Sequence, residues 1–260
     1  MVHPLDEAHA RVKRARRNLK ELDRKARVWV NANRYRFSPE FDHKLNRPAI
    51  VARSLDPANP IGPVPLEFGI IAGEAVNNLR SALNYLVWQL ASGADDHLQF
   101  PIVHDFGTKT YPKKAADRFP EVVKRYHLDL VGEDNLALIK RLQPYQGRHW
   151  RPLVYLADLN DLDMHRVIVT RQHYAAVDMA KFYGVGPGTT VRIDTELYEG
   201  ASVVIFEKYI AHPDPDVKVH FNPPATILFG PAAQKFGNAD AIRDTARLVE
   251  RILRLFHHRV

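Results

Sequence analysis

The sequence predicts an α+β protein: an antiparallel helical bundle with an antiparallel β-sheet inserted, in chain order, before the last helix. Three observations predict it. Leu66 to Ala91 repeats apolar residues in steps of three and four (Phe68, Ala72, Ala75, Leu79, Ala82, Leu86, Leu90), the pattern of one buried face on a long helix. Leu5 to Trp29 holds a seven-residue apolar rhythm. Between Val167 and Phe229 the texture changes to short β-type runs separated by glycine and proline turns. No internal repeat or long linker divides the chain, so one domain over 1–260 is expected, with helical parts at about 1–32, 66–166 and 239–258 and β-rich parts at about 33–55 and 167–230.

The elements follow in order. Pro4 suits a first helical residue, Asp6 and Glu7 fill the first turn, and Leu5, Ala8, Val12, Ala15, Leu19, Leu22, Ala26 and Trp29 form the packing seam of a long helix. Arg34 to Phe37 and Ala49 to Leu55 read as a β-hairpin or paired edge strands, and the prolines of Asp56 to Pro65 make a stiff connector into the central helix. Ser92-Gly93 stops that helix, and Phe100-Pro101-Ile102 reads as extended. Shorter helices are expected at Lys113 to Tyr126, Glu133 to Leu142 and about Pro152 to Arg166. Val167 to Tyr174, Thr189 to Asp194, Ala201 to Ile210 and Lys218 to Phe229 then supply the strands of the sheet. Ala239 to Phe256 closes the chain as a helix with Ile242, Thr245, Val249, Ile252 and Phe256 on one side.

Composition narrows the function classes. Without cysteine, the chain has no disulfides, thiolate metal sites or cysteine nucleophiles, and a reducing compartment fits. No apolar run approaches the roughly twenty residues of a membrane helix, so a soluble, cytoplasmic protein without a membrane segment is expected. The formal charge of +7 is compatible with an anionic partner, nucleic acid first. That charge is dense on the first helix, where Arg14, Arg17, Lys20 and Arg24 lie off the seam and are candidates for phosphate contact. The seam itself could pair two copies of the chain, and a homodimer is expected.

Two helices are two-sided. On the central one, Glu74, Asn77, Ser81, Asn84 and Trp88 form a second stripe with Arg80 beside it. On the helix near Pro152 to Arg166, Asp158, Asp161 and His165 form another, and Asn160, Asp163 and Arg166 enrich the same run. Polar groups on core-like helices need partners or a wet cleft. A structural alternative is an ion pair of Arg80 with Glu74 or Asp161. Asp158, Asp161 and His165, with Glu74 opposite, could also project together as metal ligands. A dinuclear carboxylate bundle, however, needs a fuller ligand set than these fragments, so no metal or other cofactor is expected. Gly184 to Thr190 lacks the lysine of a phosphate loop and reads as a turn, and His257-His258 at the terminus is expected to carry no chemistry.

The stretch Asn78-Leu79-Arg80-Ser81-Ala82-Leu83-Asn84-Tyr85, and again Asp158 to Arg166, resembles a group of uncharacterised bacterial proteins that run near GEALHNLRSALDHLVWQL and HDLxxIDKHR. That group often has a histidine at the position of Tyr85, giving arginine, four residues, histidine. The spacing is similar to the signature of the HEPN helical-bundle superfamily, many of whose members are dimeric, metal-independent endoribonucleases. The resemblance implies that Arg80 holds a phosphate and that Asn84 is a polar neighbour. Tyr85 replaces the proton-handling histidine, and a phenol with a reference pKa near 10 is a poor base at neutral pH. Cleavage then needs another imidazole, for which His165 is the candidate.

The function expected is therefore HEPN-like binding of RNA or a nucleotide, with metal-independent endoribonuclease activity as a further expectation. Arg80 and His165 are the catalytic candidates. Glu74, Asn77, Asn84, Tyr85, Asp158, Asp161 and Arg166 are the binding or orienting ones. The competing expectation is a non-catalytic, dimerising interaction protein whose polar stripes form a structural network.

Overall fold

The computed structural model describes residues 3–33, 35–42, 47–54, 64–93, 95–105, 114–165, 170–174, 177–178, 190–191, 202–203, 225–229 and 239–260, with side chains for 3–33, 64–93, 95–105, 114–161, 163 and 239–260. The helices are α1 (Asp6–Ala32), α2 (Leu66–Leu90), α3 (Ala115–Arg125), α4 (Glu133–Arg141), α5 (Arg151–His165) and α6 (Ala239–Leu255). The strands are β1 (Tyr35–Asp42), β2 (Arg47–Ser54), β3 (Thr170–Tyr174), β4 (Val177–Asp178), β5 (Thr190–Val191), β6 (Ser202–Val203) and β7 (Ala225–Phe229). The chain divides into two compact units, Met1–Asp23 with Leu66–Val169 and Phe229–Val260, and Arg24–Pro65 with Thr170–Leu228.

The expected α+β class with an inserted antiparallel sheet is corrected. Of the residues whose side chains are described, 78% are helical and none is in a strand, so the fold is a helical bundle. Among the described residues, backbone pairing elsewhere is a hairpin extended at two positions and two further two-stranded ladders. The β-type composition of 167–229 states which residues suit a pleated surface; it does not state which backbone they meet.

In the first unit, α2 packs on both α5 and α6, which also pack on each other. The apolar face of α2 is buried throughout, and Ile242, Val249 and Ile252 of α6, with Phe256 just past its end, are at most 1% exposed. Leu5, Ala8, Val12, Ala15, Leu19 and Leu22 of α1 are also buried. Each of the three leucines contributes roughly 2 kcal/mol on leaving water. The seam is therefore consumed inside one chain as far as Leu22. Arg11 meets Tyr85 and Asn18 meets Glu74, so α1 lies antiparallel to α2. Arg16 meets Glu250 and Asp23 meets Arg243, which sets the same relation to α6. Burial alone would raise the Glu250 carboxyl, but Arg16 and Arg254 outweigh it and hold the group below its ordinary range.

Residues 95–105 are pinned along this unit. Phe100 is fully buried and Val103 nearly so. Gln143, also fully buried, accepts a bond from Val103 N at 2.9 Å and donates to Ile139 O at 3.0 Å. A buried amide with both ends satisfied fixes the segment against the end of α4.

In the second unit, β1 and β2 pair antiparallel from Tyr35↔Ser54 to Asp42↔Arg47. β6 adds to β2 at Ile50↔Val203 and Val51↔Ser202, so among the described residues β1 is an edge strand, where Pro39 is tolerated. The Gly184 to Thr189 turn and most of the connector Asp56 to Pro65 lie outside the described residues.

Candidate functional site

The polar side chains of α2 leave the helix in three directions. Arg80 and Asn84, four apart and so stacked on one flank, face the 95–105 segment. Arg80 Nη1 donates to Phe100 O at 2.8 Å, and Asn84 Oδ1 accepts from Phe100 N at 3.1 Å. Both polar groups of one buried residue, the one before Pro101, are thereby satisfied. Burial pulls the Arg80 guanidinium below its ordinary value, with Tyr126 acting in the opposite sense. Among the described residues Arg80 forms no ion pair, so the expected alternative of a bridge to Glu74 or Asp161 is not what holds it.

Tyr85 points elsewhere. Five helical steps rotate it by about 140° from Arg80, toward α1. There the Arg11 guanidinium lies 4.6 Å from the ring centroid and Arg11 Nη2 donates to the hydroxyl at 3.4 Å. Arg11 Nη2 also reaches Glu7 at 3.4 Å. Glu74 faces the same helix, accepting from the buried Asn18 amide at 2.9 Å.

The two polar helices do meet, through a pair that the stripes only half predict. Asn77 Nδ2 donates to Asp163 Oδ2 at 2.6 Å. Asp163 lies against Gly73, where a Cβ would fall 2.7 Å from its Cγ. Burial raises the Asp163 carboxyl, opposed by the bond from Asn77. Asp163 belongs to the enriched run on α5, and Gly73 belongs to the central helix. Their pairing had no sequence signal, because the small residue that admits a carboxylate is on a different helix from the carboxylate.

Asp158 and Asp161 are partly buried on α5. Burial first, and Asp158 second, push the Tyr155 hydroxyl well up. His165 is the last residue of α5, but its side chain lies outside the described residues, as does all of Arg166. Among the described residues no group of three or more His, Asp or Glu is placed to hold a metal ion.

On α1, Arg14, Arg17, Lys20 and Arg24 are all exposed. Spaced three and four apart, they run along one side of the helix. None has a carboxylate partner among the described residues, whereas Arg11, Arg16 and Arg243 all do. Sequence reasoning missed a further cluster, Asp95, His97 and His127, because its members lie in turns that carry no periodic signal.

The chain matches no protein-family model, no curated protein and no solved structure. No helix among the described residues is long and apolar enough to cross a membrane.

Proposed function

We propose that this chain is a HEPN-like protein that binds RNA, or a nucleotide as its smallest unit, with the phosphates lying along α1. The observation that carries this is the row Arg14, Arg17, Lys20 and Arg24, exposed and without carboxylate partners among the described residues. Unpaired cations at helical spacing attract a phosphate backbone without reading its bases. The test is fluorescence anisotropy of labelled single-stranded RNA at low salt. Arg17→Gln with Lys20→Gln should weaken binding about tenfold or more at unchanged thermal stability, and equal affinity would remove the proposal's support. Metal-independent cleavage belongs to the same proposal, with Arg80 as the residue holding the phosphate. Electrophoresis of labelled RNA in chelator, with wild type and Arg80→Ala, tests it. The homodimer is tested by sedimentation velocity. Since the seam of α1 is covered within the chain as far as Leu22, the second copy would meet another surface.

A second function, a non-catalytic interaction protein, is favoured by a specific observation. Arg80 and Asn84 with the Phe100 backbone, Glu74 with Asn18, and Asn77 with Asp163 each bond within the bundle, as a structural network does. It predicts that RNA neither binds nor is cut, while Arg80→Ala still lowers thermal stability.

A further inference from the structure

Where α2 ends, the chain turns back and places a carboxylate between two imidazoles. Asp95 Oδ2 lies 2.5 Å from His127 Nδ1, and Asp95 Oδ1 accepts the backbone N–H of His97 at 2.7 Å. The two imidazole rings are tilted at 55° with centroids 5.1 Å apart. His97 is exposed, and the His127 side chain is 45% exposed while that of Asp95 is 22% exposed, so the imidazoles are open and the carboxylate is more covered. The hydrogen bond from His127 first, and that from His97 N–H second, hold the Asp95 carboxyl below its ordinary range.

The scaffold constrains this corner. His127 has φ 48° and ψ 41°, a left-handed conformation that is uncommon for a non-glycine residue. Its N–H bonds Lys124 O at the end of α3, its carbonyl accepts from Leu130 N, and Ser92 N bonds Leu130 O from the end of α2. Strain that the surroundings hold in place is a reason to look for function there. Asp95 engages Nδ1 of His127, which leaves Nε2 as the nitrogen available to another group. Three residues after His97 comes Phe100, whose carbonyl Arg80 holds. A guanidinium without a carboxylate partner among the described residues thus anchors the segment that carries His97.

We propose that Asp95, His127 and His97 form an acid–base site that cleaves RNA at its phosphodiester bonds without a metal. It rests on the RNA-binding proposal above. His127 Nε2 takes the proton of a ribose 2′-hydroxyl, and that oxygen forms a bond to phosphorus. The bond from phosphorus to the 5′-oxygen breaks, and a protonated His97 gives its proton to the departing oxygen. The products are a 2′,3′-cyclic phosphate and a 5′-hydroxyl, with no water, oxidant or reductant consumed. Asp95 is a positioning residue that fixes the His127 tautomer and stabilises the charge it acquires.

The test uses the full chain in chelator with a labelled oligonucleotide carrying one ribonucleotide among deoxynucleotides, and an all-2′-O-methyl RNA as an uncleavable binding probe. Wild type should cut at the ribonucleotide and leave a 2′,3′-cyclic phosphate detectable by mass. His127→Asn, a residue that tolerates the left-handed conformation, should lower the rate at least 100-fold while binding the 2′-O-methyl probe as wild type does. His97→Ala should do the same. Asp95→Asn should lower the rate about tenfold at unchanged thermal stability and change the ring-nitrogen NMR shifts that report the His127 tautomer, which a merely structural role would not do. If wild type binds the probe and does not cut, or His127→Asn cuts at the wild-type rate, the acid–base site is wrong and RNA binding stands. If the probe does not bind at all, the RNA-binding proposal fails and takes the site with it.

Discussion

Gly73 has no room for a side chain, because the carboxylate of Asp163 occupies the place a Cβ would take. In an exposed helix, alanine in place of glycine gains about 1 kcal/mol. Here it forces Asp163 aside and breaks its bond to Asn77, a cost of about 1–3 kcal/mol, so Gly73→Ala should destabilise by about 1 kcal/mol net. Adding Asp163→Ala should reverse much of that loss, and a double-mutant cycle by chemical denaturation reads the coupling. The same carboxylate gives a pH dependence. Burial raises its folded-state value despite Asn77, so its contribution is fully present below the ordinary carboxylate range and is lost as pH rises through the raised value. Asp163→Asn should flatten that part of the stability profile, and an unchanged slope would show that the carboxylate is not the source. Arg80 shows how far a residue's role can be read from the sequence. Its position on a polar flank follows from helical spacing, but the Phe100 carbonyl it holds lies 20 residues further along the chain, where no periodicity reaches.

At the scale of the element, α1 is the most legible part of the chain. Its apolar rhythm from Leu5 to Leu22 is the buried seam, since positions three and four apart necessarily share a helix face. Its N-terminal end carries something the rhythm does not announce. The rings of His3 and His257 stack 4.0 Å apart, His3 Nε2 lies 3.0 Å from His257 O, and Leu5 N donates to His3 Nδ1 at 3.1 Å. His257 is thus in a tertiary contact rather than idle at a terminus. The His3 ring first, then burial, His258 and His9, lower the His257 value, while Asp6 opposes them. A histidine lowered by folding favours its neutral form, so its stabilising share is fully present above the ordinary histidine value and declines as pH falls toward the lowered one. The melting temperature should therefore drop between about pH 7 and pH 5. His257→Gln should shrink that drop, as measured by circular dichroism across the series.

The whole molecule carries a formal charge of +7, and its distribution matters more than its sum. For single-stranded RNA each neutralised phosphate adds roughly 0.7 to the log–log slope of affinity against salt. If Arg14, Arg17, Lys20 and Arg24 all meet phosphates, replacing the four with glutamine should lower that slope by about 3. Anisotropy titrations over a salt series measure it, and a slope unchanged by the substitutions would place the RNA on some other face. At this scale the sequence was least informative. Strand-forming composition suggested one sheet, yet among the described residues the paired strands form separate small ladders, with β1 and β2 aligned over eight positions. A hairpin needs only neighbours in sequence, whereas a sheet needs register between segments far apart.

The amino-acid order by itself determined where the helices of the bundle run, which of their faces are buried and where the positive charge collects, because each follows from spacings of three and four within one stretch of backbone. Only the tertiary structure decided which polar groups meet. It set Asp163 on Gly73, Arg80 on Phe100, Asp95 on His127 and His3 on His257, pairs drawn from different elements or opposite ends of the chain. The reason is physical: an apolar residue is satisfied by any greasy surface, while a hydrogen-bonding group needs one partner at one distance, and that partner is chosen by the path of the whole chain.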